Sequence, residues 1–162
     1  MLSGPLGRNL GLVFALVLIV IIGAITSGDS FTSINNVLVI LRQASIIGVI
    51  SIGMTFVIIL GGIDLSVGAV MALASVAATL DAMQAFTEET HWIFMVLMAL
   101  AVGVAAGLIN GVVIAYGKVV AFMATLAMLV AARGLAEILA EKRTLRVDSR
   151  DFVDFFNLDI LG

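Results

Sequence analysis

Gly61-Gly62-Ile63-Asp64-Leu65-Ser66 interrupts an apolar run too long for one membrane crossing. From Ile46 to Leu80 the only ionisable residue is Asp64. As one helix at about 1.5 Å per residue that stretch would reach roughly 52 Å, against a hydrocarbon core of about 30 Å. The chain must therefore break, and this string is suited to breaking it. Glycine ends a helix in a left-handed cap, and Asp or Ser accepts the orphan N–H groups of the next helix. Two spans are expected to meet at a polar junction, with Gly61 and Gly62 as the helix break. Asp64 and Ser66 are candidates either for plain capping or for gating a path through the membrane.

Composition sets the class around that junction. The residues AVILMFWYC make up 62% of the chain and charged residues only 12%, with a mean hydropathy of +1.26. A soluble core never needs that much apolar surface, so the chain reads as an all-α, polytopic membrane protein. A net charge of -3 gives no sign of nucleic-acid binding. The absence of cysteine excludes disulfides, thiolate metal sites, cysteine nucleophiles and iron–sulfur clusters. His91 is the only histidine, so a His-based zinc site has no ligand set; no metal and no cofactor are expected.

Working outward, five spans are predicted, at about 10–25, 44–60, 66–80, 92–116 and 119–140, between a short segment 1–9 and a charged tail 141–162. The first span overlaps a signal-peptide core, and Ala24-Ile25-Thr26 weakly resembles a cleavage site; a retained helix is the expectation. The sole proline is Pro5, so no span carries a proline kink. Charge gives no single orientation. A cytoplasmic N-terminus leaves segments 26–36 and 81–91 outside without Lys or Arg, as the positive-inside rule asks. It also leaves Lys142, Arg143, Arg146 and Arg150 outside, which the rule disfavours.

Gly103, Gly107 and Gly111 repeat every four residues in the fourth span, extended by Ala99, a stripe for close helix packing. Asn110 lies seven residues after Gly103, only about 20° away around the helix. Its amide therefore points into a helix contact or a cavity, either as an interhelical hydrogen bond or as a group lining a substrate path. Arg133 and Glu137 stand four apart in the fifth span. They read either as a pair snorkelling to the headgroups or as a second polar candidate in the path. His91 beside Trp92 reads as an interfacial anchor. The stretch Gly111 to Val119 is a false P-loop, with five residues between its glycines where four are required and Val119 where Ser or Thr must meet magnesium. The chain reads as no enzyme, and any ATP hydrolysis belongs to a separate subunit.

Several strings together resemble one family. Arg42-Gln43-Ala44-Ser45, Gly53-Met54-Thr55-Phe56-Val57-Ile58 and Gly61-Gly62-Ile63-Asp64-Leu65-Ser66-Val67-Gly68 resemble the ribose-type sugar ABC permeases. So do Gly107-Leu108-Ile109-Asn110-Gly111, Phe122-Met123-Ala124-Thr125-Leu126 and Arg133-Gly134-Leu135-Ala136, in the same order, covering most of 36–137. Branched-chain amino acid permeases are relatives, but their equivalent segment lacks the Ile-Asp-Leu-Ser pattern. The resemblance adds Thr125 to the translocation candidates. It implies a multi-pass subunit of a bacterial inner (plasma) membrane importer with about ten spans, working as a dimer with a second permease subunit. Two ABC ATPase subunits power such an importer, and a periplasmic sugar-binding protein delivers the sugar. It further implies a cytoplasmic 1–9 and a periplasmic 141–162. The family runs to roughly twice this length, so the chain corresponds to its N-terminal half, stopping inside what resembles the loop before the sixth span. Val119-Val120 departs from the family, which usually has proline there to fix the start of the fifth span. Two other classes compete. A small non-ABC transporter of the four-span kind needs a carboxylate in its first span, and none lies between Leu10 and Ile25. A structural membrane assembly protein would account for the glycine stripe alone, and neither class explains the ordered motifs.

Overall fold

The computed structural model describes residues 5–156; residues 1–4 and 157–162, the outer parts of the predicted segment 1–9 and tail 141–162, lie outside the described residues. Every regular element among the described residues is helical: α1 (Pro5–Ser27), α2 (Asp29–Thr32), α3 (Ile34–Ile59), α4 (Val67–Ala78), α5 (Asp81–Glu89), α6 (Ile93–Ala115), α7 (Ala121–Leu139) and α8 (Arg150–Phe156). Four of these, α1, α3, α6 and α7, are long and apolar enough to cross a membrane; a fifth crossing arises if α4 and α5, bent by 52° at their break, count as one. Helices suit this setting because each satisfies its own backbone hydrogen bonds where no water can.

The chain divides into two compact units, up to Ile52 and from Gly53 onward, and the boundary falls inside α3. In the first unit α1 has no residue of its span buried, as befits a helix that is apolar all round and meets lipid or further helices. Pro5 opens α1, where its missing N–H costs nothing. Gly23 lets the Phe31 ring of α2 lie on α1, since a Cβ there would stand 2.6 Å from the ring.

The second unit is a bundle in which α4 packs against α7 and α6. The contact is made by small side chains: Ala77 and Ala78 of α4, Ala106 of α6, and Ala124, Ala132 and Ala136 of α7 are all buried. Small residues let helix backbones approach where lipid leaves no hydrophobic drive between helices.

Two predicted boundaries need correction. The second span, predicted at 44–60, belongs to a helix starting at Ile34, because nothing between Ser33 and Leu60 ends a helix; Asn35, Asn36, Arg42 and Gln43 lower hydropathy without breaking it. The third span, predicted at 66–80, is the 12-residue α4, about 18 Å long and too short to cross alone. Segment 81–91, read only as lying between the third and fourth spans, contains α5 (Asp81–Glu89), which Leu80 starts from an extended conformation (ψ 143°).

Candidate functional site

The break between α3 and α4 begins as its glycines require. Gly61 adopts φ 72°, and its N–H donates to the carbonyl of Ile58 at 2.9 Å. The Gly62 N–H donates to the carbonyl of Val57 at 3.0 Å. These two bonds form a Schellman cap, with Gly61 at the left-handed position. Gly62 also brings the chain near α7: a Cβ there would lie 3.6 Å from that of Ala121.

Residues 63–65 then run without helical hydrogen bonding, the Ser66 carbonyl accepting the first bond of α4 from the Val70 N–H at 2.8 Å, and side chains of α6, α7 and the segment itself supply the other partners. The Thr125 hydroxyl of α7 accepts from the Leu65 N–H at 3.3 Å and lies within donating distance of the carbonyls of Ile63 (3.1 Å) and Phe122 (3.3 Å). The Asp64 carboxylate accepts from the Ser66 N–H at 2.7 Å and the Ser66 hydroxyl at 2.6 Å. The Asn110 amide of α6 donates to Ser66 Oγ at 3.2 Å. Ser66, Asn110 and Thr125 are buried, at 2%, 9% and 3% exposure. Asn110 Nδ2–H, Ser66 Oγ–H and Asp64 Oδ1 therefore form one directed chain, while Thr125 splints the backbone on the α7 side. Beside that chain lies a cavity of about 270 Å³ bounded by Asp64, Ser66, Asn110, Gly103 and Gly107.

The structure thus joins Asp64, Ser66, Asn110 and Thr125, which lie up to 61 positions apart in the sequence. One detail corrects the capping expectation. Ser66 precedes α4 but makes no side-chain cap bond; its backbone is already helical (φ -84°, ψ -14°), where an N-cap residue is usually extended. The carboxylate of Asp64 serves the junction's own N–H instead of those inside α4.

Arg133 and Glu137 stand apart from this cluster. Their Nε and Oε1 atoms are 3.4 Å apart with side chains 74% and 59% exposed, and they border a separate groove of about 540 Å³ between α4 and α7. The glycine stripe of α6 has no close helix against it among the described residues: a Cβ on Gly103, Gly107 or Gly111 meets nothing within 4 Å. The close packing among the described residues runs through Ala106 of α6 and Ala124, Ala132 and Ala136 of α7. Sequence reading also passed over two residues. A Cβ on Gly117, at the end of α6, would stand 2.5 Å from the Val113 carbonyl. Gln84 of α5 is buried and makes three hydrogen bonds, and its signal was a lone amide between apolar neighbours. Among the described residues no three His, Asp or Glu side chains are grouped to hold a metal ion.

Fold and junction define the class: an all-helical, multi-pass membrane protein whose bundle is interrupted by an unwound segment with a polar cluster around it. Residues 36–156 match a family model described as the permease component of the branched-chain amino acid transport system. The chain belongs to this permease family, and the curated relatives named below are sugar permeases. It is 39% identical over 143 residues to the ribose import permease of Haemophilus influenzae, covering 88% of this chain and 42% of that relative. It is 40% identical over 112 residues to the galactofuranose transporter permease of Escherichia coli, covering 69% and 32%. The D-allose transport system permease of Escherichia coli is 32% identical over 152 residues, covering 94% and 46%. The chain spans less than half the length of these relatives, matching their N-terminal part. No solved structure matches it.

Proposed function

We propose that the chain is the N-terminal half of a permease that moves a ribose-type sugar across a bacterial inner membrane, driven by ATP hydrolysed on separate subunits. The observation that carries the reading is the junction itself. Four polar side chains meet at the unwound segment between α3 and α4, next to a cavity of about 270 Å³. Irregular backbone at membrane depth is tolerated where it is buried in protein or lines a cavity, and transporters place their working parts at such breaks. The similarity to ribose, galactofuranose and allose permeases favours a sugar over an amino acid. In this proposal the partners are two ATPase subunits, a periplasmic sugar-binding protein, a second permease subunit and the surrounding lipid.

In the proposed mechanism Asp64, Ser66, Asn110 and Thr125 act as a gating cluster. Each is a short polar group whose partner is a hydroxyl, an amide or a backbone group, so pairs can be exchanged as α4 tilts against α6 and α7. A ligand or ATP state shifts such an equilibrium only through its different affinity for the two arrangements. Arg133 and Glu137, exposed within this chain, are proposed to meet a further subunit or the sugar path; their exposure supports that reading.

The test is uptake by the complete permease carrying Asp64→Asn. Asparagine keeps an oxygen for Ser66 but loses the charge that strengthens both bonds. Insertion is expected to stay intact while sugar uptake falls. Normal uptake at equal membrane abundance would reduce Asp64 to a structural cap.

A further inference from the structure

At the opposite end of α4 from the junction, the chain leaving α7 turns back across the bundle. Gln84 holds it there. Its Nε2 donates to the carbonyl of Thr79, which closes α4, and to that of Arg146, both at 3.0 Å; its Oε1 accepts from the Asp148 N–H at 2.7 Å. One buried amide thus joins the end of α4, α5 and the returning chain. Among the described residues, these are the hydrogen bonds that tie the backbone between Thr144 and Asp148 to the bundle.

Beneath this crossing lies a cavity of about 370 Å³, with Ser75, Thr79, Met95 and Ala99 on the bundle side and Val147 and Phe152 above them. The far end of the crossing rests on Trp92, whose ring centroid is 5.8 Å from that of Phe152 and 4.8 Å from that of Phe155. The near end springs from Glu141 and Lys142, at φ 49° and 58°. Two successive non-glycine residues in the left-handed region store backbone strain, and such positions mark segments that switch.

We infer that residues 143–149 are a hinged strap over this cavity, pivoting at Glu141–Lys142 and latched by Gln84. When the amide lets go, no other hydrogen bond among the described residues ties the backbone from Thr144 to Asp148 to the bundle, so that stretch lifts as a unit and opens the side of the cavity at the half-buried Thr79. The inference is independent of what the permease carries.

The chain contains no cysteine, so single cysteines report strap position directly. Val147→Cys, half-buried on the cavity side of the strap, and Arg150→Cys, on the exposed surface, are labelled with a membrane-impermeant maleimide in liposomes holding the 162-residue chain. With Gln84 present, Val147→Cys is expected to react more slowly than Arg150→Cys. Gln84→Leu removes all three bonds and should raise the Val147→Cys rate about tenfold, with Arg150→Cys unchanged; tenfold corresponds to about 1.4 kcal/mol. Gln84→Glu keeps the acceptor for Asp148 but loses both donated bonds, and should give an intermediate rate; it also serves if the leucine variant fails to accumulate. Labelling within twofold of the parent in whichever variants accumulate would overturn the latch.

Discussion

Replacing Thr125 with valine removes one hydroxyl and almost nothing else, so it isolates the splint between α7 and the unwound segment. Thr125 is 3% exposed, and its Oγ1 is the hydrogen-bond acceptor for the Leu65 N–H. Valine matches the shape but leaves that donor unpaired and removes a donor from the Ile63 carbonyl. Leaving a buried group unpaired costs about 1–3 kcal/mol, and water cannot repair the loss inside a bilayer. Interhelical hydrogen bonds in membranes measure lower, about 0.6 kcal/mol on average and up to about 1.7. The two ranges meet at about 1–2 kcal/mol, a shift of roughly 5- to 30-fold in the unfolding equilibrium. Thr125→Ser keeps the oxygen and should recover most of it. The assay is unfolding of the detergent-solubilised chain by titration with a denaturing detergent, comparing the three proteins at equal micelle composition. A valine variant within about 0.3 kcal/mol of the parent, well below the average such bond, would refute the splint.

Gly61→Ala should destabilise by about 1–2 kcal/mol in the same titration, because φ 72° forces a Cβ into the left-handed region. Gly103→Ala, with nothing within 4 Å, should cost nothing in this chain; a loss there equal to that of Gly61→Ala would show that a helix packs on the stripe. For topology, a periplasm-active reporter fused after Ser149 should be active and one fused after Gly117 silent. The reverse pattern would overturn the cytoplasmic N-terminus.

The break was legible because Gly61-Gly62 and Asp64 are punctuation that no apolar run can absorb. Asp64, Ser66 and Asn110 were legible one by one, each as a polar group in an apolar stretch, and Thr125 only through a family motif, but their meeting was not. Asn110 carries a helical phase and no address, and nothing in Thr125 says that it faces Leu65 and not lipid. Where sequence reasoning misplaced structure, hydropathy was standing in for hydrogen bonding. Segment 81–91 is polar enough to read only as lying between two spans, yet Asp81 to Glu89 winds into α5. The glycines of α6 drew attention as a packing face while Ala106 of α6 and the alanines of α7 carry the close contact, since alanine is too common in membrane helices to stand out. Gln84 was hidden for a different reason: its partners at Arg146 and Asp148 are backbone groups, which no side-chain pattern announces.

The most direct test of the account is the solute itself. The complete permease built on this chain, reconstituted with the ATPase subunits and binding protein proposed for it, is offered ribose, allose, galactofuranose and leucine in parallel. ATP-dependent accumulation of at least one sugar and none of leucine is expected, with the sugar signal reduced by Asp64→Asn. Accumulation of leucine without any sugar would contradict it.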